Sequence, residues 1–144
     1  MKKWPFHVHC PSLVRVGNVN DGGKFVCSPG QIPKNNCSIY SFGIAGDISF
    51  DEDIQTFNRQ GCRLYGYDQN PLVSRLRTQY EAVNGKLTIL KIEPISVPSM
   101  DIYTLGDILE SNDDKSAEIF KIDIEGGEHS VLIPFLQEYR VCQV

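Results

Sequence analysis

Residues 119–128 of this 144-residue chain, Ile-Phe-Lys-Ile-Asp-Ile-Glu-Gly-Gly-Glu, constrain the fold more than any other stretch. The isoleucine-rich run predicts a strand covered on both faces, where near-continuous apolar sequence replaces alternation. Asp123 and Glu125 then fall at its tip, and Gly126-Gly127 turns the chain there. Open α/β sheets place ligand chemistry at the carboxyl tips of such strands. The alternative is a pair of solvated acids in a strand-to-helix loop. A second acid-tipped strand upstream, Cys62-Arg-Leu-Tyr-Gly-Tyr67 ending in Asp68, favours the first reading.

Around these two strands the chain alternates. Residues 38–42 form the first expected strand, stopped by Gly43. Ser49-Phe-Asp-Glu52 is a capping box with Ser49 at the N-cap; its helix carries Ile54 and Phe57 and closes at Gly61. Asn70-Pro71 reads as N-cap and first residue of a helix with Leu72, Leu76 and Tyr80 inward, ended by Asn84-Gly85. Residues 87–92 make a third strand, Pro94 and Pro98 mark a loop, and a short helix begins at Thr104. Residues 119–124 are the fourth strand, and the helix after it contains Pro134, which kinks it or starts a new turn. Residues 141–144 begin a fifth strand. Such alternation predicts the α/β class with a mostly parallel sheet. Residues 1–37, with four prolines and an Asp21-Gly22-Gly23 turn, read as an irregular N-terminal extension to an α/β domain over 38–144.

Composition narrows the function. A net charge of −4 and a pI near 5.3 exclude the basic footprint that nucleic acid requires. No apolar stretch reaches membrane-spanning length. Lys2-Lys3 is followed by Trp-Pro-Phe-His instead of an apolar core, so no signal peptide is expected; the chain is cytosolic, or a leader lies outside it. The five cysteines contain no Cys-x-x-Cys pair, against a zinc ribbon. Three of them precede residue 38 and would hold one disulfide in an oxidising compartment; the odd count leaves a free thiol. His7 and His9 have no partner motif.

The turn after the first strand, Gly43-Ile-Ala-Gly46-Asp47, fails as a dinucleotide fingerprint because Ala45 and Ile48 occupy glycine positions. Asp47, Asp51, Glu52 and Asp53 crowd the following helix start, where a pyrophosphate needs positive potential. That charge suits a cationic, phosphate-free nucleoside, and S-adenosylmethionine is one. Asp68, about 20 residues beyond the turn, is then placed to accept hydrogen bonds from both ribose hydroxyls. A plain turn before Pro71 is the alternative.

Lys121-Ile-Asp-Ile-Glu-Gly-Gly-Glu128 followed by Val131-Leu132 resembles the signature of FkbM-type S-adenosylmethionine-dependent methyltransferases. Asp21-Gly-Gly-Lys24 with Val26-Cys27, and Tyr40-Ser-Phe-Gly-Ile44 with Asp47-Ile-Ser-Phe-Asp51, resemble the animal methyltransferase-like branch of that group. The match runs in patches from Cys10 to Val144. The resemblance implies a Rossmann-like class I methyltransferase fold and methyl transfer, typically to oxygen. It implies that Gly43 and Gly46 line the methionine part of the cofactor, that Asp68 holds the ribose, that Ile44 and Asn70 join the cofactor-binding set, and that Asp123 and Glu125 face the reacting centre. Ser41 stands where many class I enzymes have an acid, and Asp47 would replace it by pairing with the cofactor ammonium. Residues 21–24 are either a lid over the cofactor or a tight surface turn.

The expected chemistry is in-line attack by a substrate hydroxyl, from a small molecule or glycan, on the sulfonium methyl, with positioning supplying much of the acceleration. Asp123, Glu125 or His129 would take the proton. No metal site is expected, because alternating carboxylates point to opposite faces of a strand unless the loop turns them. The resemblance also implies a sheet that continues beyond Val144, so the expected domain is C-terminally truncated, with an exposed edge that invites association. Two other readings stay open: a non-catalytic binding protein, and a nicotinamide oxidoreductase that the acidic helix start disfavours.

Overall fold

The computed structural model describes residues 9–144, so Lys2, Lys3 and His7 lie outside it. Its centre is a five-stranded sheet built from β3 (Ser38–Phe42), β4 (Arg63–Asp68), β5 (Gly85–Ile89), β8 (Ser116–Ile122) and β9 (Arg140–Gln143). Their spatial order is β5-β4-β3-β8-β9 and every neighbouring pair is parallel. The chain steps outward from β3 through β4 to β5, then returns to the other side of β3 to lay down β8 and β9. The order therefore reverses between β3 and β8. This is the Rossmann-like α/β sheet expected from the alternation, and the reversal sets where a ligand binds.

Strand alternation sorts the core into two layers. Ile39, Leu64, Leu87 and Ile119 face one side, packed under α1 (Ser49–Phe57) and α2 (Arg77–Ala82). Tyr40, Phe42, Tyr67 and Phe120 face the other, under α3 (Leu105–Ser111) and α4 (Glu128–Glu138). On that second side the rings of Phe42 and Tyr67 stack at 5.3 Å, and Phe120 stacks on Phe135 of α4 at 4.9 Å. Each buried ring removes enough apolar surface from water to contribute about 1.5–3 kcal/mol.

Several local expectations are corrected. Part of the supposedly irregular N-terminal segment is an antiparallel hairpin, β1 (Leu13–Val16) with β2 (Lys24–Cys27), whose Val16 and Val26 join the first core layer. Four-residue strands around a seven-residue loop give too short a period to stand out against the prolines. Ile48, not Ser49, occupies the N-cap of α1; Asp47 Oδ1 accepts from the Ser49 amide and so takes the capping role one residue earlier. That helix ends at Phe57, because Arg59 and Gln60 adopt positive φ before Gly61 is reached. The helix after Asn70 opens as a 3-10 segment over Pro71–Leu76, which turns Val73 inward and leaves Leu72 exposed. Asn70 does cap it, accepting from the Leu72 amide at 3.0 Å. The third strand divides: β5 stays in the main sheet, while β6 (Lys91–Ile92) pairs with β7 (Ile102–Tyr103) in a small sheet of its own. The last helix, α4, runs through Pro134 as one element.

The cysteines form two bridges, Cys10–Cys27 and Cys37–Cys62, and Cys142 is free and exposed. The first lies within the cysteine-rich opening, as expected; the second ties the start of β3 to the residue before β4. Among the described residues no helix is long and apolar enough to cross a membrane.

Candidate functional site

The carboxyl ends of the central strands are laced together before any ligand is considered. The Asp123 amide donates to Phe42 O, the Gly43 amide to Tyr67 O and the Leu90 amide to Asp68 O, each at 2.9 Å. Gly43 sits at the reversal point with φ +80°, and a Cβ there would lie 1.9 Å from Asp123 O. Only glycine lets the two strand ends approach this closely. Ala45 also takes a positive φ of 50°, so the turn Gly43–Gly46 is bent tightly away from the sheet.

Asp68 holds that turn in place. Its Oδ2 accepts from the Ile44 and Ala45 amides at 2.8 and 2.9 Å, and its Oδ1 accepts from the Asn70 amide at 2.7 Å. A carboxylate at the tip of β4 thus orders the loop at the tip of β3. Lys121 supports the same loop from below: its Nζ donates to Gly43 O at 3.1 Å although the residue is only 6% exposed. Its charge is balanced by Asp51, which is fully buried and accepts from the Tyr80 hydroxyl at 2.9 Å. Burial pushes the Asp51 carboxyl up from its ordinary value, and the Lys121 ammonium pulls it back in part. Tyr80 fits there because Gly66 on β4 has no side chain; a Cβ would meet the Tyr80 hydroxyl at 2.4 Å. Asp51 Oδ2 and Ser41 Oγ are buried in the same place without a hydrogen-bond partner.

Above this support lies a cavity of about 520 Å³, lined by Gly43, Asp68, Asn70, Asp123 and Glu125 among others. It sits at the reversal of strand order and falls in the size range of small-molecule sites. The loop after β8 turns as the two acids require: Glu125 has φ +59° and Gly126 φ +114°, so Asp123 and Glu125 both reach the cavity. Tyr67 forms part of its wall, with a hydroxyl that accepts from Asn112 and is pushed up to about 12 by burial. Lys91 and Glu93 also line it and pair with each other, which cancels their charges. The other charged groups on its wall are the carboxylates of Asp68, Asp123 and Glu125.

Other residues singled out from the sequence are turned elsewhere. Ile44 is buried beneath the turn and meets Asp68 through its amide. Gly46 faces the Arg75 guanidinium and His129 is exposed on α4; neither lines the cavity. Asp47 accepts from Asn18 Nδ2 at 2.9 Å and from the Ser49 amide, and that backbone hydrogen bond, with others from Ser49 and Asn18, holds its carboxyl below the ordinary value. Asp53 accepts from the Gly17 amide at 2.9 Å. Asp47 and Asp53 are therefore spent on docking the β1–β2 loop and Asp51 on the buried contact with Tyr80, while Glu52 is exposed. They do not wall the cavity. This corrects the electrostatic premise drawn from the sequence: the negative wall comes from the β4 and β8 tips alone.

The hairpin's own contribution is Lys24. Its Nζ donates to Asp123 Oδ2 at 2.9 Å and to Asp21 O at 3.2 Å, joining the N-terminal segment to the tip of β8. The sequence marked residues 21–24 as a lid or a turn, and did not reveal this ion pair, which spans 99 positions. Lys121 was also missed. A single cation inside an apolar strand was its visible signal, since a buried lysine needs a partner. Among the described residues no group of three or more histidines, cysteines or acids is arranged to hold a metal ion.

Comparison with known proteins gives one match: a family model described as a methyltransferase domain covers residues 3–138. No curated protein and no solved structure matches the chain.

Proposed function

The chain belongs to the methyltransferase domain family, and from that premise we propose that its cavity binds S-adenosylmethionine and that its methyl acceptor is a hydroxyl of a small molecule or glycan. Within the family we assign it to the FkbM type, in the animal methyltransferase-like branch, on the blocks 21–27, 40–51 and 121–132. The observation that carries the cofactor reading is the donor set. The cavity wall offers carboxylate oxygens from Asp68, Asp123 and Glu125; Lys91 is paired with Glu93 and Asp123 with Lys24, which leaves the charges of Asp68 and Glu125 uncompensated. Such a wall repels a diphosphate and attracts a cation that carries hydroxyls.

In this reading the Asp68 carboxylate, already fixed by three backbone amides, presents its one remaining acceptor site, on Oδ1, to a ribose hydroxyl. Asn70 borders the same end. Bound S-adenosylmethionine would supply an electrophilic methyl group. The chain's own task is to orient the acceptor and remove its proton. Asp123 is engaged by Lys24, and His129 lies outside the lining, so Glu125 is the carboxylate left free to act as general base. Lys24 fixes Asp123 as a positioning group beside it.

A crystal soaked with S-adenosylhomocysteine tests the reading. The expected result is density in this cavity with the ribose at Asp68 and the sulfur on the Asp123–Glu125 side. Density elsewhere, or a ribose remote from Asp68, overturns it. If the ligand binds as expected but no hydroxylated acceptor is methylated, the chain is a cofactor-binding protein and the transfer step is refuted.

A further inference from the structure

Two cystine bridges fasten the described chain, and such bridges form and persist in oxidising compartments such as the secretory lumen. Beside the second of them the sequence reads Asn36-Cys37-Ser38, the Asn-x-Ser pattern of an N-glycosylation acceptor. No other asparagine in the chain begins such a tripeptide with serine or threonine and a non-proline centre. We propose that Asn36 carries an N-linked oligosaccharide, added as the chain enters the endoplasmic reticulum. This inference rests on the cysteines and the tripeptide, not on the methyl-transfer reading.

The geometry accommodates the modification. Asn36 is exposed and takes φ +50°, a left-handed turn that asparagine tolerates better than most residues. Its neighbours Pro33, Lys34 and Asn35 are exposed as well, so a bulky sugar at this turn displaces no packed side chain. Cys37 and Ser38, by contrast, are buried as β3 begins. The turn precedes the amino end of β3, while Gly43 and the cavity lie at its carboxyl end. At about 3.3 Å per residue, the two rims are separated by roughly 15–20 Å of strand. An oligosaccharide on Asn36 therefore leaves the cavity open.

The step itself requires a lipid-diphosphate-linked oligosaccharide as co-reactant. The Asn36 side-chain nitrogen attacks the anomeric carbon, forming a C–N bond. The C–O bond to the diphosphate breaks, the lipid diphosphate departs with the electron pair, and the amide nitrogen gives up one proton. In the folded chain Ser38 Oγ donates to Ser116 O at 3.3 Å and Cys37 is bonded to Cys62, so the acceptor tripeptide is closed. Transfer must precede folding of β3 onto β8. Bridge closure and glycosylation then compete, and slowing the bridge raises occupancy.

The test is expression of the chain in animal cells behind an endoplasmic-reticulum leader, with secreted and cell-retained fractions both analysed. Peptide-N-glycosidase treatment in ¹⁸O-water converts a glycosylated asparagine to labelled aspartate, which peptide mapping locates. The expected results are label at Asn36 and loss of the glycosidase-sensitive mobility shift in Asn36→Asp, a substitution that also tolerates the left-handed turn. Ser38→Thr, or dithiothreitol in the medium, should raise occupancy above wild type. Label at another asparagine overturns the proposal. So does its absence from both wild type and Ser38→Thr, in either fraction.

Discussion

Replacing Asp68 with alanine separates what this carboxylate does for the fold from what it does for a ligand. Three backbone amides lose their acceptor in the variant. The Ile44 amide belongs to a residue only 1% exposed, so water does not replace the carboxylate there. An unsatisfied buried donor costs about 1–3 kcal/mol, and each solvated one about 0.5–1.5 kcal/mol. Ala45 and Asn70 are exposed and fall in the second class. The sum is about 4 kcal/mol. With m near 1.5–2 kcal/mol/M for urea, the unfolding midpoint should drop by roughly 2–2.7 M. Asp68→Asn retains one acceptor oxygen and should lose about half as much on the same arithmetic.

The asparagine variant then carries the binding question, because it stays folded. Calorimetric affinities for S-adenosylhomocysteine and its 2′-deoxyribose analogue, measured on wild type and Asp68→Asn, form a double-substitution cycle. If Asp68 contacts the ribose, removing the hydroxyl weakens wild-type binding about tenfold, or 1.4 kcal/mol, and weakens the variant much less. An unchanged urea midpoint in Asp68→Ala refutes the structural half of this reasoning. Equal losses for the analogue in both proteins refute the ribose contact.

Gly43→Ala should lower Tm by about 6–12 °C, because a left-handed alanine and a collision with Asp123 O together cost about 3 kcal/mol; a differential scanning trace with an unshifted Tm contradicts the close approach. Lys121→Met leaves Asp51 buried without its cation and should cost about 3–5 kcal/mol near neutral pH. Burial already raises the Asp51 carboxyl, and loss of Lys121 raises it further, so the folded variant binds a proton that the unfolded chain releases. Its stability therefore falls as pH rises above the ordinary aspartate value of 3.8, and urea midpoints against pH should show the deficit shrinking on the acid side. Glu125→Gln should lower methyl transfer to hydroxylated acceptors by about 10²–10⁴-fold, read as S-adenosylhomocysteine release, with cofactor affinity kept.

The parallel sheet was legible because its signals are local. Apolar runs at 38–42, 62–67 and 119–124 and the glycines and prolines between them mark strands wherever those strands finally pair. The tips of β4 and β8 followed from the same reasoning, so Asp68, Asp123 and Glu125 were found together on one cavity. What escaped was the fate of charges whose partners are distant. Asp47, Asp51 and Asp53 look like one acidic cluster in the sequence, yet the fold sends them to Asn18, Tyr80 and Gly17. Lys24 meets Asp123 across most of the chain. Nothing in a linear pattern encodes those pairings. The 3-10 start after Asn70 was hidden for another reason: both helix types open with the same Asn-Pro cap, and only the spacing of buried residues afterwards separates them.

Isothermal titration of the intact chain with S-adenosylhomocysteine, with NAD as the matched competitor, tests the acidic cavity most directly. Saturable one-to-one binding of the thioether nucleoside, weakened in the folded Asp68→Asn variant and untouched by excess NAD, is the predicted outcome. Binding of NAD at the same cavity, with none of S-adenosylhomocysteine, would contradict it.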